Sequence, residues 1–264
     1  MEQPAGSETL RLGPPSGSRI ALVGGCGGIG REVTAACVAA GLKVAVLDLP
    51  RSLERRPPPE GVLVLPLDAT DERMVDGAFG QLDAAFGGLD ALVNLAGFAN
   101  RPVPFDALST DEWDETVAGN LRSVYLTCRA AAPLLRRGDM PAIVNIASGL
   151  AVRLLPGHAP YGAAKAGVVA FTKALAVELA PAIRANAVAP GAVDTDFLKG
   201  GTGRDPDPPG APSRLAREAY VRAVPLGRLA VPEDIVGPIL FLAGPASRFM
   251  TGQVLHVNGG GLTP

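Results

Sequence analysis

A serine, a tyrosine thirteen residues further on and a lysine four residues after that stand in SGLAVRLLPGHAPYGAAK, residues 148–165. If Tyr161 opens a helix, Lys165 falls one turn below it on the same face, because residues four apart are neighbours there. An ammonium fixed beside a phenol favours the phenolate and pulls a group with an ordinary pKa of about 10 toward neutrality. The Ser148 hydroxyl can then hold the oxygen of a carbonyl or an alcohol. Together the three side chains make a proton-transfer site that needs a hydride partner.

The segments around them alternate in type. IALVGG from Ile20, KVAVLDL from Lys43, VLVLPLDAT from Val62, LDALVNLAG from Leu89, PAIVNIAS from Pro141, IRANAVAPG from Ile183 and QVLHVNGG from Gln253 are short apolar runs that end at polar or glycine residues, as strands do. REVTAACVAAG and DERMVDGAFGQLDAAFG carry helical periodicity, and Ser109 with Glu112 has the spacing of a capping box opening a long helix through WDETVAGNLRSVYLTCRAAAPLL. In YGAAKAGVVAFTKALAVELA, Val168, Phe171, Leu175 and Leu179 share one face. Pro232 opens a further helix, which Pro238 should kink. RSLERRPPPEG reads as a connection too broken for a long helix, and 196–213 as a loop rich in Gly, Pro and Asp. Strand and helix alternating in this way predict an α/β domain: a doubly wound parallel sheet with helices on both faces. Residues 1–17 read as a flexible extension and 18–264 as one domain.

The glycine-rich run VGGCGGIG, residues 23–30, falls between the first strand and the first helix, with glycines at Gly24, Gly28 and Gly30. Such a loop allows a tight turn and lets backbone N–H groups approach a pyrophosphate at the helix N-terminus. Asp48 ends the second strand, where a carboxylate meets the adenosine ribose and repels a 2′-phosphate. That favours NAD over NADP; Arg51, Arg55 and Arg56, just beyond, are the residues that could instead hold a phosphate. Asp68, at the end of the third strand, reads as a helix cap, a role that can coexist with a contact to adenine. Asn94, Ala96 and Gly97 close the fourth strand at the edge where open α/β sheets bind ligands, and the last two are small enough to admit a flat one.

Composition narrows the function classes. Acidic and basic residues nearly balance, 26 against 24, and no basic stripe is visible, which argues against nucleic acid. Cys26, Cys37 and Cys128 form no CxxC pair, as expected of reduced thiols, with Cys26 inert in its loop. His158 and His256 are far apart, so no metal site is expected. No apolar run approaches the ~20 residues that span a bilayer, and the N-terminus lacks an apolar signal core, so a cytoplasmic protein is expected.

The glycine loop, the segment Asn94–Gly97 (NLAG), Ser148 with Tyr161 and Lys165, and NAVAPGAVDT from Asn186 to Thr195 stand in the order and spacing of the short-chain dehydrogenase/reductase family, which the chain resembles from about Arg19 onward. Within it the chain is most similar to the branch of 3-oxoacyl-carrier-protein reductases and secondary-alcohol dehydrogenases. The resemblance implies a Rossmann fold and four catalytic positions. Asn120 would hold a proton-relay water and Ser148 would polarise the substrate oxygen. Tyr161 would be the general acid/base, and Lys165 would lower its pKa and bind the nicotinamide ribose. It also implies Pro190, Gly191, Val193 and Thr195 around the nicotinamide, Asp68 and Ala69 at the adenine, and Ile29 and Leu49 among the cofactor contacts. The family commonly forms tetramers through its long helices, which implies a homotetramer. Two residues depart from its pattern: Val23 stands where a threonine usually braces the loop, and Leu95 where a second asparagine is usual.

The expected activity is therefore hydride transfer between NAD(H) and a small-molecule secondary alcohol or ketone, with 196–213 as a substrate lid. The alternatives are an NADP-dependent 3-oxoacyl-thioester reductase and, from another class, a nucleotide-binding scaffold or redox sensor without catalysis.

Overall fold

The structure, a computed structural model, describes residues 12–199 and 215–263. The extension before Leu12 and most of the expected lid, including Arg204, lie outside the described residues. Seven strands form one parallel sheet: β1 (Arg19–Val23), β2 (Lys43–Asp48), β3 (Leu63–Pro66), β4 (Ala91–Asn94), β5 (Ala142–Ile146), β6 (Arg184–Pro190) and β7 (Val254–Val257). Their order is β3-β2-β1-β4-β5-β6-β7, so the chain reverses direction across the sheet between β1 and β4. Such a reversal opens a crevice at the carboxyl ends of the strands. The expected doubly wound fold is the one observed.

Strand pleating divides the core in two. Ala21 and Val23 face one layer, and Ile20 and Leu22 the other. The first layer is covered by α3 (Glu72–Phe86), α5 (Ser123–Leu135) and α6 (Ala159–Glu178), through Val75, Phe79, Leu126, Leu135 and Val168. The second is covered by α1 (Gly28–Ala39) and α8 (Glu233–Ala243), through Val33, Cys37, Ile235 and Ile239. A sheet buried on both faces explains the nearly unbroken apolar runs.

Five local features differ from expectation or go beyond it. A six-residue helix, α2 (Pro50–Arg55), opens the connection after β2, with proline in its first turn where a missing N–H breaks no bond. Ser109 and Glu112 do form the capping box of α4 (Thr110–Val117), but a π turn at Ala118–Arg122 separates α4 from α5 within the single long helix expected. Pro232 is the N-cap of α8, one position before the first helical residue it was expected to be, and α8 continues through Pro238. Residues 12–17, expected to be loose, are held: the Gly17 N–H and the Ser16 hydroxyl both donate to the Gly41 carbonyl. A short helix α7 (Arg217–Ala223), which no sequence pattern announced, follows the lid segment. No helix among the described residues is long and apolar enough to cross a membrane.

The edge of the sheet remote from the crevice is locked by one ion pair. Asp90 accepts from the Arg19 backbone N–H at 2.7 Å, from Arg19 Nη2 at 2.7 Å, from Arg19 Nε at 3.1 Å and from the Asp139 N–H at 2.7 Å. Burial alone would raise the Asp90 pKa, but these bonds outweigh it and hold the carboxyl below its ordinary value. Asp90 therefore adds stability above the ordinary carboxylate pKa, and that stability is lost as pH falls through the depressed value. Replacing Asp90 by Ala leaves Arg19 and two backbone donors without their acceptor. The substitution should destabilise the fold by about 3 kcal/mol in urea denaturation at pH 7; an unchanged midpoint would refute this role for the pair.

Candidate active site

Every strand from β1 to β6 delivers a predicted site residue to the same edge. Beyond β1, Gly24 turns with φ +87°, and a Cβ on it would lie 2.5 Å from the Ala96 nitrogen, so the loops after β1 and β4 meet at a point only glycine fits. A Cβ on Gly30 would reach the Gly24 carbonyl oxygen at 2.2 Å, which holds α1 close beneath the loop. Gly27 caps α1 with no side-chain bond, leaving the first-turn N–H groups for a ligand, and Ile29 is partly buried beside them. Asp48 braces this cradle, its carboxylate accepting from the Cys26 N–H at 2.8 Å and the Leu49 N–H at 2.8 Å. Burial raises the Asp48 pKa, and the two backbone bonds oppose the rise. Burial, with the Asp48 charge next, pushes the Cys26 thiol up to about 12, so it stays protonated and unreactive. Bare helix N–H groups, close glycines and a ribose-height carboxylate fit a nicotinamide dinucleotide.

Asp68 is not the helix cap. Asp71 caps α3, bonding the Arg73 and Met74 N–H groups, while Asp68 accepts from the backbone and hydroxyl of Thr70 beside buried Ala69. Asn94 faces inward: it accepts from Thr127 Oγ1 at 2.8 Å and donates to Asn145 Oδ1 at 2.9 Å, and Asn145 in turn donates to Thr172 Oγ1. That buried chain of amides and hydroxyls ties β4 and β5 to α5 and α6, so the Asn94 side chain holds the sheet together and does not line the crevice.

The proton-transfer residues converge. α6 begins at Ala159, with Pro160 in its first turn, and carries Tyr161 and Lys165 one turn apart as expected. Lys165 Nζ lies 5.7 Å from the Tyr161 ring centroid and donates to the Ile146 carbonyl at 2.9 Å. Ser148, two residues past β5, hydrogen-bonds Tyr161 and accepts from the Leu150 N–H. Asn120 is fully buried in the π turn; its amide donates to the Thr116 and Phe98 carbonyls, and its Oδ1 accepts from the Phe98 N–H. An α-helix would offer the Thr116 carbonyl to the Asn120 backbone, and the side chain takes it instead. Gly97, with φ +153°, completes the cluster: a Cβ there would lie 2.6 Å from Asn120 Oδ1 and 3.4 Å from Lys165 Nζ.

One expectation reverses. Burial pushes the Tyr161 phenol up to about 12, opposite to the pull expected from Lys165, and lowers Lys165 to about 8. Desolvation penalises both charges and outweighs their mutual attraction across the ring.

The loop after β6 lies between cradle and proton site. Pro190 and Val193 are buried, Gly191 donates to the Val257 carbonyl, and a Cβ on Gly28 would meet Thr195 Cγ2 at 2.4 Å. The described start of the expected lid, Asp196–Lys199, makes two contacts the sequence did not disclose. Phe197 sets its ring 5.9 Å from that of Tyr161, and Asp196 pairs with Arg56 from beyond α2. His158 is the N-cap residue of α6, and His256 lies in β7.

Comparison with known proteins places this geometry in a lineage. A family model described as enoyl-(acyl carrier protein) reductase matches residues 24–261. The 3-oxoacyl-[acyl-carrier-protein] reductase of Chlamydia muridarum is 37% identical over 195 residues, 74% of each chain. Carbonyl reductase family member 4 of Danio rerio is 36% identical over 250 residues, 92% of this chain and 98% of the relative. Among solved structures, a 3-ketoacyl-(acyl-carrier-protein) reductase of Brucella melitensis complexed with NADH superposes with a TM-score of 0.83 at 32% identity, covering 93% of this chain and 98% of that one.

The buried lysine should leave a mark on stability. Below about 8 the ammonium is charged whether the chain is folded or unfolded, and the fold bears the desolvation. Between about 8 and the ordinary 10.5 the unfolded chain holds a proton that the folded chain has shed, so stability rises with pH. Lys165→Met should therefore exceed the parent in stability by about 2 kcal/mol at pH 7. That advantage should shrink toward pH 10 in parallel urea titrations, and a Met variant less stable at pH 7 would contradict the electrostatic account.

Proposed function

Because the chain belongs to the short-chain dehydrogenase/reductase family, we propose that it transfers hydride between NAD(H) and a secondary alcohol or the matching ketone. The observation that carries this reading is the convergence of Ser148, Tyr161, Lys165 and Asn120 beside the crevice that begins at the glycine cradle. A nicotinamide dinucleotide held there supplies or takes up the hydride. The cradle N–H groups and α1 hold its phosphates, Asp48 its adenosine ribose, and Pro190 to Thr195 its far end.

Ser148 donates to the substrate oxygen and fixes it against Tyr161. Tyr161 gives its proton to that oxygen in reduction and takes it back in oxidation. The Lys165 charge favours the phenolate against the burial that disfavours it. Both amide hydrogens of Asn120 are engaged, so a relay water would bond to an acceptor of that residue. The exposed Tyr125 on α5 and Val177 on α6 support association through these helices, as in a homotetramer.

A second reading, NADP-dependent reduction of 3-oxoacyl thioesters, takes its substrate class from the activity named for the Chlamydia muridarum and Brucella melitensis relatives and its 2′-phosphate partners from Arg51 and Arg55 beyond Asp48, whereas the Brucella melitensis structure holds NADH. The Asp48 carboxylate, which would face a 2′-phosphate, opposes it.

Tyr161→Phe should reduce turnover by at least about 10²-fold while NADH affinity, read by fluorescence titration, stays within about twofold. Near-normal turnover would remove the acid/base assignment. Steady-state efficiency should be higher with NADH than with NADPH, and a clear NADPH preference would select the second reading.

A further inference from the structure

The loop from Gly191 to Thr195 is held in an unusual way. Thr195 touches Gly28 of the cradle, and the Pro190 carbonyl lies 3.6 Å from where a Cβ on Gly149, next to Ser148, would stand. An elongated ligand running from the cradle to Ser148 must pass this loop, so its placement sets how well the ligand is held. Several of its polar backbone groups bond to neighbouring backbone. Gly191 donates to the Val257 carbonyl at 2.9 Å, Asp194 to that of Ala230 at 2.8 Å, and Ala230 to that of Ala192 at 3.1 Å. The Ala192 N–H is different: it donates to the Tyr220 phenolic oxygen at 2.7 Å.

Tyr220 comes from α7, the helix by which the chain returns after the lid segment. Its oxygen lies 2.5 Å from where a Cβ on Gly191 would stand, so the hydroxyl occupies side-chain space at that glycine. Arg217, three residues earlier on the same helix face, pairs with Asp194 at 2.7 Å, but that pair is exposed and contributes little. On this side Gly191 and Ala192 border a cavity of about 170 Å³, lined also by Tyr220, Arg228 and Asn258. Space flanks the loop there, and the phenol reaches across it.

We propose that Tyr220 is a positioning residue for hydride transfer: by accepting from the Ala192 N–H it sets the Gly191–Thr195 loop against the bound dinucleotide. This rests on the hydride-transfer reading above.

The test is Tyr220→Phe, which removes the acceptor and keeps the ring. The NADH dissociation constant and the KM for NADH should both rise about tenfold, the effect of one unmet backbone donor. At saturating NADH, kcat should fall less than about threefold, because the groups that move the proton are untouched; a merely structural role would not give this KM-against-kcat split. Gly191→Ala supplies a second reading. Its added methyl meets the Tyr220 oxygen in the parent but not in the Phe variant, so the double variant should bind NADH more tightly than the product of the single effects requires. NADH affinity within about twofold of the parent in Tyr220→Phe, with multiplicative effects in the double variant, overturns the proposal alone. A parent protein that binds neither NADH nor NADPH overturns the hydride-transfer reading and this proposal with it.

Discussion

A buried ammonium governs the architecture of the crevice. Lys165 is almost fully enclosed, and among the described residues no carboxylate lies within ion-pair distance of it. Its ammonium donates to the carbonyl of Ile146, the last residue of β5. A charge so placed is tolerated only where the surrounding backbone is held to give it a dipole and a space. β5 must end where its carbonyl is free to accept, α6 must bring Lys165, in its second turn, back to that end, and the chain after β4 must pass without a side chain at Gly97. The positions of Tyr161, Ser148 and Asn120 follow from these three requirements.

The sheet is the means by which they are met. Parallel strands bring the residue after each strand to one edge, so groups far apart in sequence arrive side by side: Gly24 against Ala96, Gly28 against Thr195, Gly97 against Asn120. Two apolar layers fix the strands, and the Arg19–Asp90 pair secures the opposite edge. Core stability and catalytic precision are thus carried by different ends of the same strands.

The strands, the cradle and the tyrosine–lysine spacing were legible in the sequence because each is local: an apolar run, a glycine spacing, one helical turn. What was not legible depends on partners distant in the chain. Asn94 looked like a ligand contact, but its bonds to Thr127 and Asn145 turn it inward, and neither partner can be inferred from its neighbours. Arg56 read as a phosphate candidate, whereas its carboxylate partner, Asp196, lies 140 positions on. Asp68 and Asp71 are both plausible caps, and only the helix start distinguishes them. The tyrosine pKa was misjudged because spacing reveals the nearby charge and says nothing of desolvation.

The π turn at Ala118–Arg122 has a consequence for how this segment can change length. A π turn closes with one more residue than an α turn. Removing a single residue there would restore a regular hydrogen-bond ladder from α4 into α5. It would also rotate everything downstream by about 100°. Val124, Leu126, Ala131 and Leu135, now turned into the core, would swing away from the sheet. The irregular turn is therefore a keyed insertion: helical regularity and core registration cannot both be satisfied by a shorter chain. Any lineage that acquired it could lose it only by refacing an entire helix.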